Sequence, residues 1–185
     1  GRDFTINAIA FDLETGRLID PYQGLSDLQQ GRLRAVGSAA QRFEEDPLRL
    51  LRMLRFGPGE NRSVDAQALE AAKNLAFRLE EISVERIAAE FSRILLSPYP
   101  QAALKMALEL GLLPHFLPEI IPSAGFEQNE FHTQDVFDHS LAVVQATSAD
   151  LILRLSALFH DIGKVYTLSI DNQGRRHFYG HELSL

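Results

Sequence analysis

The chain has 185 residues, 45% hydrophobic and 23% charged, which suits one sizeable core or two small ones. No apolar run nears the roughly 18 residues that span a bilayer and no basic-then-apolar leader opens the chain, so a cytoplasmic protein without a membrane partner is expected. Cysteine is absent, which excludes disulfides, thiolate nucleophiles and sulfur-ligated zinc, and the net charge of −7 argues against a broad phosphate-binding surface while allowing a local basic groove.

Residues 2–36 mix short strands and turns. "FTINAIAFDLETGRLIDPYQG" holds an apolar run, a turn at Glu14-Thr15-Gly16 and a second apolar pair ending at Asp20-Pro21. "RLRAVG" is a further strand candidate, closed by Gly37. So few short strands leave a sheet face uncovered, and the stretch reads as the end of an α+β domain. From Ser38 to about Ser97 the pattern is helical. Ser38 is a candidate cap, Asp46-Pro47 is a helix-start signature, and Gly57-Pro58-Gly59 is a stop. "SVDAQALEAAKNLAFRLEEI" and "SVERIAAEFSRILLS" each open on a cap candidate, the second with Ile87, Phe91, Ile94 and Leu95 on one face. Pro98 and Pro100 break it, and "QAALKMALELGLLPHFLPEII" reads as a helix closed by Gly111 and Pro114. A last helical region starts near His132, takes in "DVFDHSLAVVQATS" and "ADLILRLSALFHDIGK", and ends in a turn or hairpin around "DNQGRRHFYGHE". The class is mainly α.

"EEDPLRLLRMLRF", residues 44–56, spaces Arg49, Arg52 and Arg55 by three, beside a stripe of Leu48, Leu51 and Leu54. Asp46 and Arg49 stand one turn apart. A carboxylate only accepts hydrogen bonds and a guanidinium only donates. Cytosine and adenine each present an amino donor beside a ring-nitrogen acceptor, so the pair complements both. Guanine and uracil present the reverse and set like against like. The competing reading is a surface helix with i,i+3 ion pairs, each worth a few tenths of a kcal/mol.

"RDFTINAIAFD", "IDPYQGLSDLQQGRLRAVG", "EEDPLRLLRMLRF" and "ERIAAEFSRILLS" occur in that order. Together they resemble the bacterial-type tRNA nucleotidyltransferase and poly(A) polymerase family, over residues 2 to about 97. The resemblance implies that Arg2, Asp3 and Asn7 support the nucleotide's sugar and phosphates. It places Asp46 and Arg49 at the base edge, with Glu45 and Arg52 as supports, Arg52 being also a phosphate candidate. Asp20, Gly24 and Asp27 match a structural turn, where Gly24 allows tight packing and Asp27 is expected to bind loop N–H groups. Glu85 and Arg86 are expected to hold the helical neck by ion pairs, away from substrate. The family's glycine-rich loop and metal-binding carboxylates precede the first motif, so the catalytic residues, with their Mg2+, are expected upstream of Gly1. Residues 1–185 alone are expected to be inactive.

Four of the six histidines follow residue 138. "FHTQDVFDHSLAVV", "LSALFHDIGKVYT" and "HFYGHE" resemble a metal-dependent phosphohydrolase domain named for its adjacent His-Asp pair, from about residue 131 onward. The resemblance implies His139, His160 and Asp161 as ligands of a divalent ion such as Mg, Mn, Ni or Co. His181 is a candidate for a second metal or a phosphate, and His132 for the approach. Lys164 suits a phosphate or a helix end. The implied organisation is a head end (1–37), a base-reading neck (38–97), a connector (98–130) and the start of an all-α metal domain (131–185). The implied function is addition of C and A to the tRNA 3′ end from CTP and ATP, with tRNA as partner and no DNA. Two alternatives stay open: a poly(A) polymerase, and an RNA-binding segment without catalysis.

Overall fold

The computed structural model describes residues 1–127, 134–173 and 175–180. They fall into two compact units: residues 1–94 with 102–116, and residues 95–101 with 117–185. Among the described residues no helix is long and apolar enough to cross a membrane.

The first unit opens with a hairpin, β1 (Ala10–Asp12) antiparallel to β2 (Arg17–Ile19). Its turn is the one expected at Glu14-Thr15-Gly16. Asp12 accepts from the amides of Glu14 and Thr15 and from the Thr15 hydroxyl, and Gly16 takes φ +67°. Helix α1 (Gly24–Gln29) starts where Asp20 accepts from the Gly24 and Leu25 amides at 2.7 and 2.9 Å. Only glycine fits at 24, because a Cβ would lie 2.1 Å from the Thr5 carbonyl oxygen. Strand β3 (Arg32–Leu33) then pairs in parallel with β4 (Ser63–Val64). Ser63-Val64 reads as a helix opening by pattern. The turn at Gly31 instead approaches Asn61 so closely that a Cβ would sit 2.3 Å from its carbonyl oxygen. Residues 63 and 64 are thereby drawn into the ladder, and the cap passes to Asp65, which accepts from the Gln67 amide at 3.0 Å.

Helix α2 (Ala39–Glu45) is capped by Ser38 as expected, and Asp46-Pro47 separates it from α3 (Leu48–Phe56). Helices α4 (Ala66–Leu75), α5 (Val84–Leu95) and α6 (Pro100–Glu109) follow. Helix α6 ends before the expected Gly111 and Pro114 stop, and two short 3-10 turns follow at Leu113–His115 and Pro118–Ser123, each with proline in its first turn. Phe4, Phe43, Leu50, Leu51, Met53, Leu54, Leu79 and Leu104 are fully buried and form the core of this unit.

In the second unit α7 (Val136–Ala146) packs on α8 (Leu151–Phe159), with Asp135 and Asp150 as their caps. Phe137, Leu141, Val144 and Leu158 are buried, and β5 (Ser169–Ile170) pairs with β6 (Arg176–His177) as the expected hairpin. Arg154, 5% exposed, lies on the buried side of α8. Its guanidinium donates to the carbonyls of Leu95, of Ser97 at 2.8 Å and of Thr147 at 3.1 Å, so one cation closes the chain ends after α5 and α7. Removing it strands buried acceptors. Arg154→Met is expected to lower the stability of the full chain by about 2–4 kcal/mol, read from the midpoint of a urea unfolding curve.

Candidate nucleotide-reading and metal sites

The N-terminal segment is laid against residues 34–36 by Thr5 N–H to the Arg34 carbonyl (2.9 Å) and Val36 N–H to the Asp3 carbonyl (3.0 Å). Asp27, fully buried on α1, locks this arrangement. One oxygen accepts from Arg32 at 2.6 and 2.9 Å; the other accepts from Thr5 Oγ1 at 2.7 Å and from Arg34 Nε at 3.0 Å, with Arg34 Nη2 2.8 Å away as an ion pair. The expected loop N–H partners are replaced by a hydroxyl and two guanidiniums. Arg32 and Arg34 are two apart on extended backbone and so reach the same side. Burial works to raise the Asp27 pKa, but Thr5, Arg32 and Arg34 outweigh it and hold the carboxyl below the ordinary value.

Asp3 is placed by this anchor. It accepts from the Phe4 amide at 2.8 Å and Asn7 Nδ2 at 3.1 Å, and Arg52 of α3 donates to it at 2.6 Å. Burial again pushes its pKa up, and the Phe4 amide, Arg52 and Asn7 more than reverse that. Arg2 is exposed, with no partner on its guanidinium among the described residues. Asp3 and Asn7 of the first motif thus join Arg52 in one hydrogen-bonded group, and Arg2 stands outside it.

The acid–arginine helix is held by charges from other segments. Arg49, 11% exposed, donates through Nη1 to the Arg42 carbonyl (2.7 Å) and Glu45 (2.9 Å), and through Nη2 to the Gly1 carbonyl (3.0 Å). Of its five N–H groups, Nε–H and one on Nη2 have no partner among the described residues. Arg55 donates to Glu90, which is 1% exposed, at 2.5 Å and lies 3.9 Å over the Phe56 ring. Asp46 takes the extended backbone of the α2–α3 corner. Its Oδ1 accepts from the Leu48 amide at 3.3 Å, and Arg86 Nη2 of α5 reaches both oxygens at 3.1 Å. The motif assigns Arg86 to the neck; its partner is Asp46, the carboxylate expected at the base edge. Forty positions separate the two, and no local signal joins them.

Residues 128–133 and 181–185 lie outside the described residues, and with them the His132 and His181 candidates. His139, His160 and Asp161 come together, with one ligand atom from each within 4.8 Å of the others. His139 lies on α7, His160 follows α8, and their rings are 5.4 Å apart. His160 Nδ1 is 2.8 Å from the Ala157 carbonyl, which turns Nε2 towards Asp161 Oδ2 at 3.2 Å; Lys164 donates to the same oxygen at 2.7 Å. The hydrogen bond to Asp161 raises the His160 pKa against the effect of burial. Two imidazoles and a carboxylate in this space fit a divalent ion of the Mn, Co or Ni kind. His177 is turned to Asp171 at 3.1 Å.

Comparison with known proteins matches residues 1–34 to the poly(A) polymerase head domain family and residues 63–123 to the family described as the probable RNA and SrmB-binding site of polymerase A. The CCA-adding enzyme of Streptococcus gordonii is 44% identical over 82% of this chain and 37% of that protein. The chain belongs to the tRNA nucleotidyltransferase and poly(A) polymerase family. The A-adding tRNA nucleotidyltransferase of Deinococcus radiodurans is 36% identical over 98% of this chain and 44% of its own length. Among solved structures, the Bacillus stearothermophilus CCA-adding enzyme in complex with CTP aligns with a TM-score of 0.61 at 32% identity, over 80% of this chain and 33% of that one. The chain spans about two fifths of the length of these curated relatives.

The two depressed carboxylates set an acid limit on this unit. In the unfolded chain they take up protons near 3.8, and in the folded chain only below it, so their contribution is complete above that pH and fades as pH falls through the folded values. Asp27→Asn is expected to cost about 2–3 kcal/mol at pH 7, less than a fully buried pair because both arginines reach solvent. It should also flatten the decline of stability below pH 4, as measured by urea unfolding at a series of pH values.

Proposed function

We propose that this chain is the nucleotide-reading part of a tRNA nucleotidyltransferase, adding C and A to the tRNA 3′ end from CTP and ATP. The observation that carries the reading is the residual hydrogen-bonding capacity of the Asp46–Arg49 corner. Asp46 Oδ1 is filled by Leu48 and Arg86, whereas Oδ2 holds Arg86 alone and keeps an acceptor site. Arg49 keeps two N–H groups after Glu45, Arg42 and Gly1 are served. One acceptor and a donor match the amino group and ring nitrogen shared by cytosine and adenine. Guanine or uracil would leave polar groups unpaired, at about 1–3 kcal/mol for each unmatched group. On this reading exposed Arg2 serves phosphate oxygens and Asn7 the sugar, while Asp3, filled by Phe4, Asn7 and Arg52, supports them without a free acceptor of its own. The transfer would need a divalent ion to orient the α-phosphate and activate the 3′-hydroxyl, a role that none of the residues named here is read as filling.

A second reading has its own support. The A-adding relative aligns over 98% of the chain, an extent that takes in His139, His160 and Asp161, whereas the S. gordonii CCA-adding enzyme aligns over 82%. Addition of A alone is accordingly the second reading. In either case the His139–His160–Asp161 cluster is read as a divalent-metal centre of a phosphohydrolase-like domain.

Three outcomes separate the specificities. With the complete polypeptide, a tRNA lacking its CCA end gains C-C-A from a CCA-adding enzyme and nothing from an A-adding one, and an open-ended tail would indicate a poly(A) polymerase. Arg49→Ala should lower kcat/KM for both CTP and ATP, or for ATP alone in an A-adding enzyme, by about tenfold or more. Unchanged kinetics would remove Arg49 from the site. For the metal centre, His160→Ala should abolish Mn2+ binding by isothermal titration in the full chain.

A further inference from the structure

At the C-terminal end of α3, a cavity of about 190 Å³ lies between α1, β3 and the loop that leads into β4. Buried Leu33 forms its floor, and Ile6, Leu28 and Phe56 add apolar wall. Two cations share it. Arg32 gives Nε and Nη2 to Asp27 Oδ1 at 2.9 and 2.6 Å, and its Nη1 has no partner among the described residues. Exposed Arg62 donates through Nη1 to the Phe56 carbonyl at 3.4 Å, and its Nε and Nη2 have none among them either. The loop fixes Arg62 at this place. Asn61 takes φ +55° against Gly31, and a Cβ at Gly59 would lie 2.6 Å from Arg62 Cδ, so the arginine lies across a glycine that makes room for it. Asp27, the carboxylate of the lining, is already met by Thr5, Arg32 and Arg34. The cavity therefore sets a surplus of positive charge beside an apolar floor, in a chain whose net charge is −7.

We propose that this cavity binds a small carboxylate with a compact apolar body, of the size of benzoate. Volume sets the first limit. The space equals about six waters at roughly 30 Å³ each, below the roughly 300–1,000 Å³ of pockets for larger organic ligands. About ten non-hydrogen atoms fill it at ordinary packing density, which excludes a whole nucleotide. Charge sets the second limit. A guanidinium only donates, and its flat fork fits the two oxygens of a carboxylate. Inorganic phosphate would meet the arginines but leave the apolar walls uncovered. A neutral hydrocarbon would cover the walls and leave the cations unmet. A carboxylate on an apolar ring or branched chain answers both. The cavity shares no residue with the Asp46–Arg49 corner, so the proposal stands apart from base reading there.

The test titrates the complete polypeptide with benzoate by calorimetry at low ionic strength, with benzamide, inorganic phosphate and AMP as comparison probes. The expected result is one benzoate per chain with a Kd of about 0.1–1 mM, and benzamide weaker by about tenfold because it lacks the charge. Arg62→Ala should weaken benzoate by about tenfold, Arg62→Lys should recover part of that, and Leu28→Trp, which enlarges a side chain at the mouth, should abolish binding. Arg62 and Leu28 are both exposed, so the variants are expected to fold, and their urea midpoints check that. No benzoate bound at about 10 mM would overturn the proposal. So would binding that both Arg62→Ala and Leu28→Trp leave unchanged, because the ligand would then sit elsewhere. Benzamide as tight as benzoate would remove the arginines from recognition. Phosphate or AMP binding as tightly as benzoate, with the same dependence on Arg62, would overturn the carboxylate assignment in favour of a phosphate site.

Discussion

Helix α3 carries Arg49, Arg52 and Arg55 on nine residues, and each is held by a carboxylate from a different place: Glu45 of α2, Asp3 of the N-terminal segment and Glu90 of α5. Asp46, at the corner before the helix, is held in the opposite sense by Arg86. The buried leucines on the other face supply the hydrophobic energy of docking but little directional information, since neighbouring leucines can exchange places with a small rotation. The ion pairs remove that freedom. Each fixes the rotation of α3 about its own axis from a separate element, and Asp46 and Arg49 inherit their placement from it.

The same logic extends one layer back. Asp3 can hold Arg52 only because the segment carrying it is itself fixed, by the two backbone bonds to residues 34–36 and by Thr5 on the buried Asp27. Asp27 depends in turn on α1 packing directly onto the Thr5 turn, which the missing side chain of Gly24 permits. A structural glycine and a fully paired buried carboxylate therefore stand behind groups that touch neither of them. The first three motifs together build one connected support.

Much of this was legible in the chain. The hairpin at Glu14-Thr15-Gly16, the Ser38 cap, the Asp46-Pro47 corner and the Gly57 stop follow from local chemistry, and all four stand where the residues place them. Glu45 as the support of Arg49 is an i,i+4 relation that spacing also reveals. What escaped depends on partners distant in sequence. Arg86 meets Asp46 across forty positions, and Asp3 meets Arg52 across forty-nine. The strand at Ser63-Val64 is two residues long, set by the approach of Gly31 to Asn61 and not by its own pattern. Glu90 and Arg154 stand on otherwise apolar helix faces. Periodicity marks such positions as polar interruptions, but only the fold supplies Arg55 or the carbonyls of Leu95, Ser97 and Thr147 as their partners.

The account turns on one atom, the Asp46 oxygen left with acceptor capacity. Its most direct test is a crystal structure of the complete polypeptide bound to ATP. The account predicts the adenine amino nitrogen about 3 Å from Asp46 Oδ2, with an Arg49 N–H on the adjacent ring nitrogen. An adenine amino group paired elsewhere, with both Asp46 oxygens still occupied by Arg86 and Leu48 alone, would contradict it.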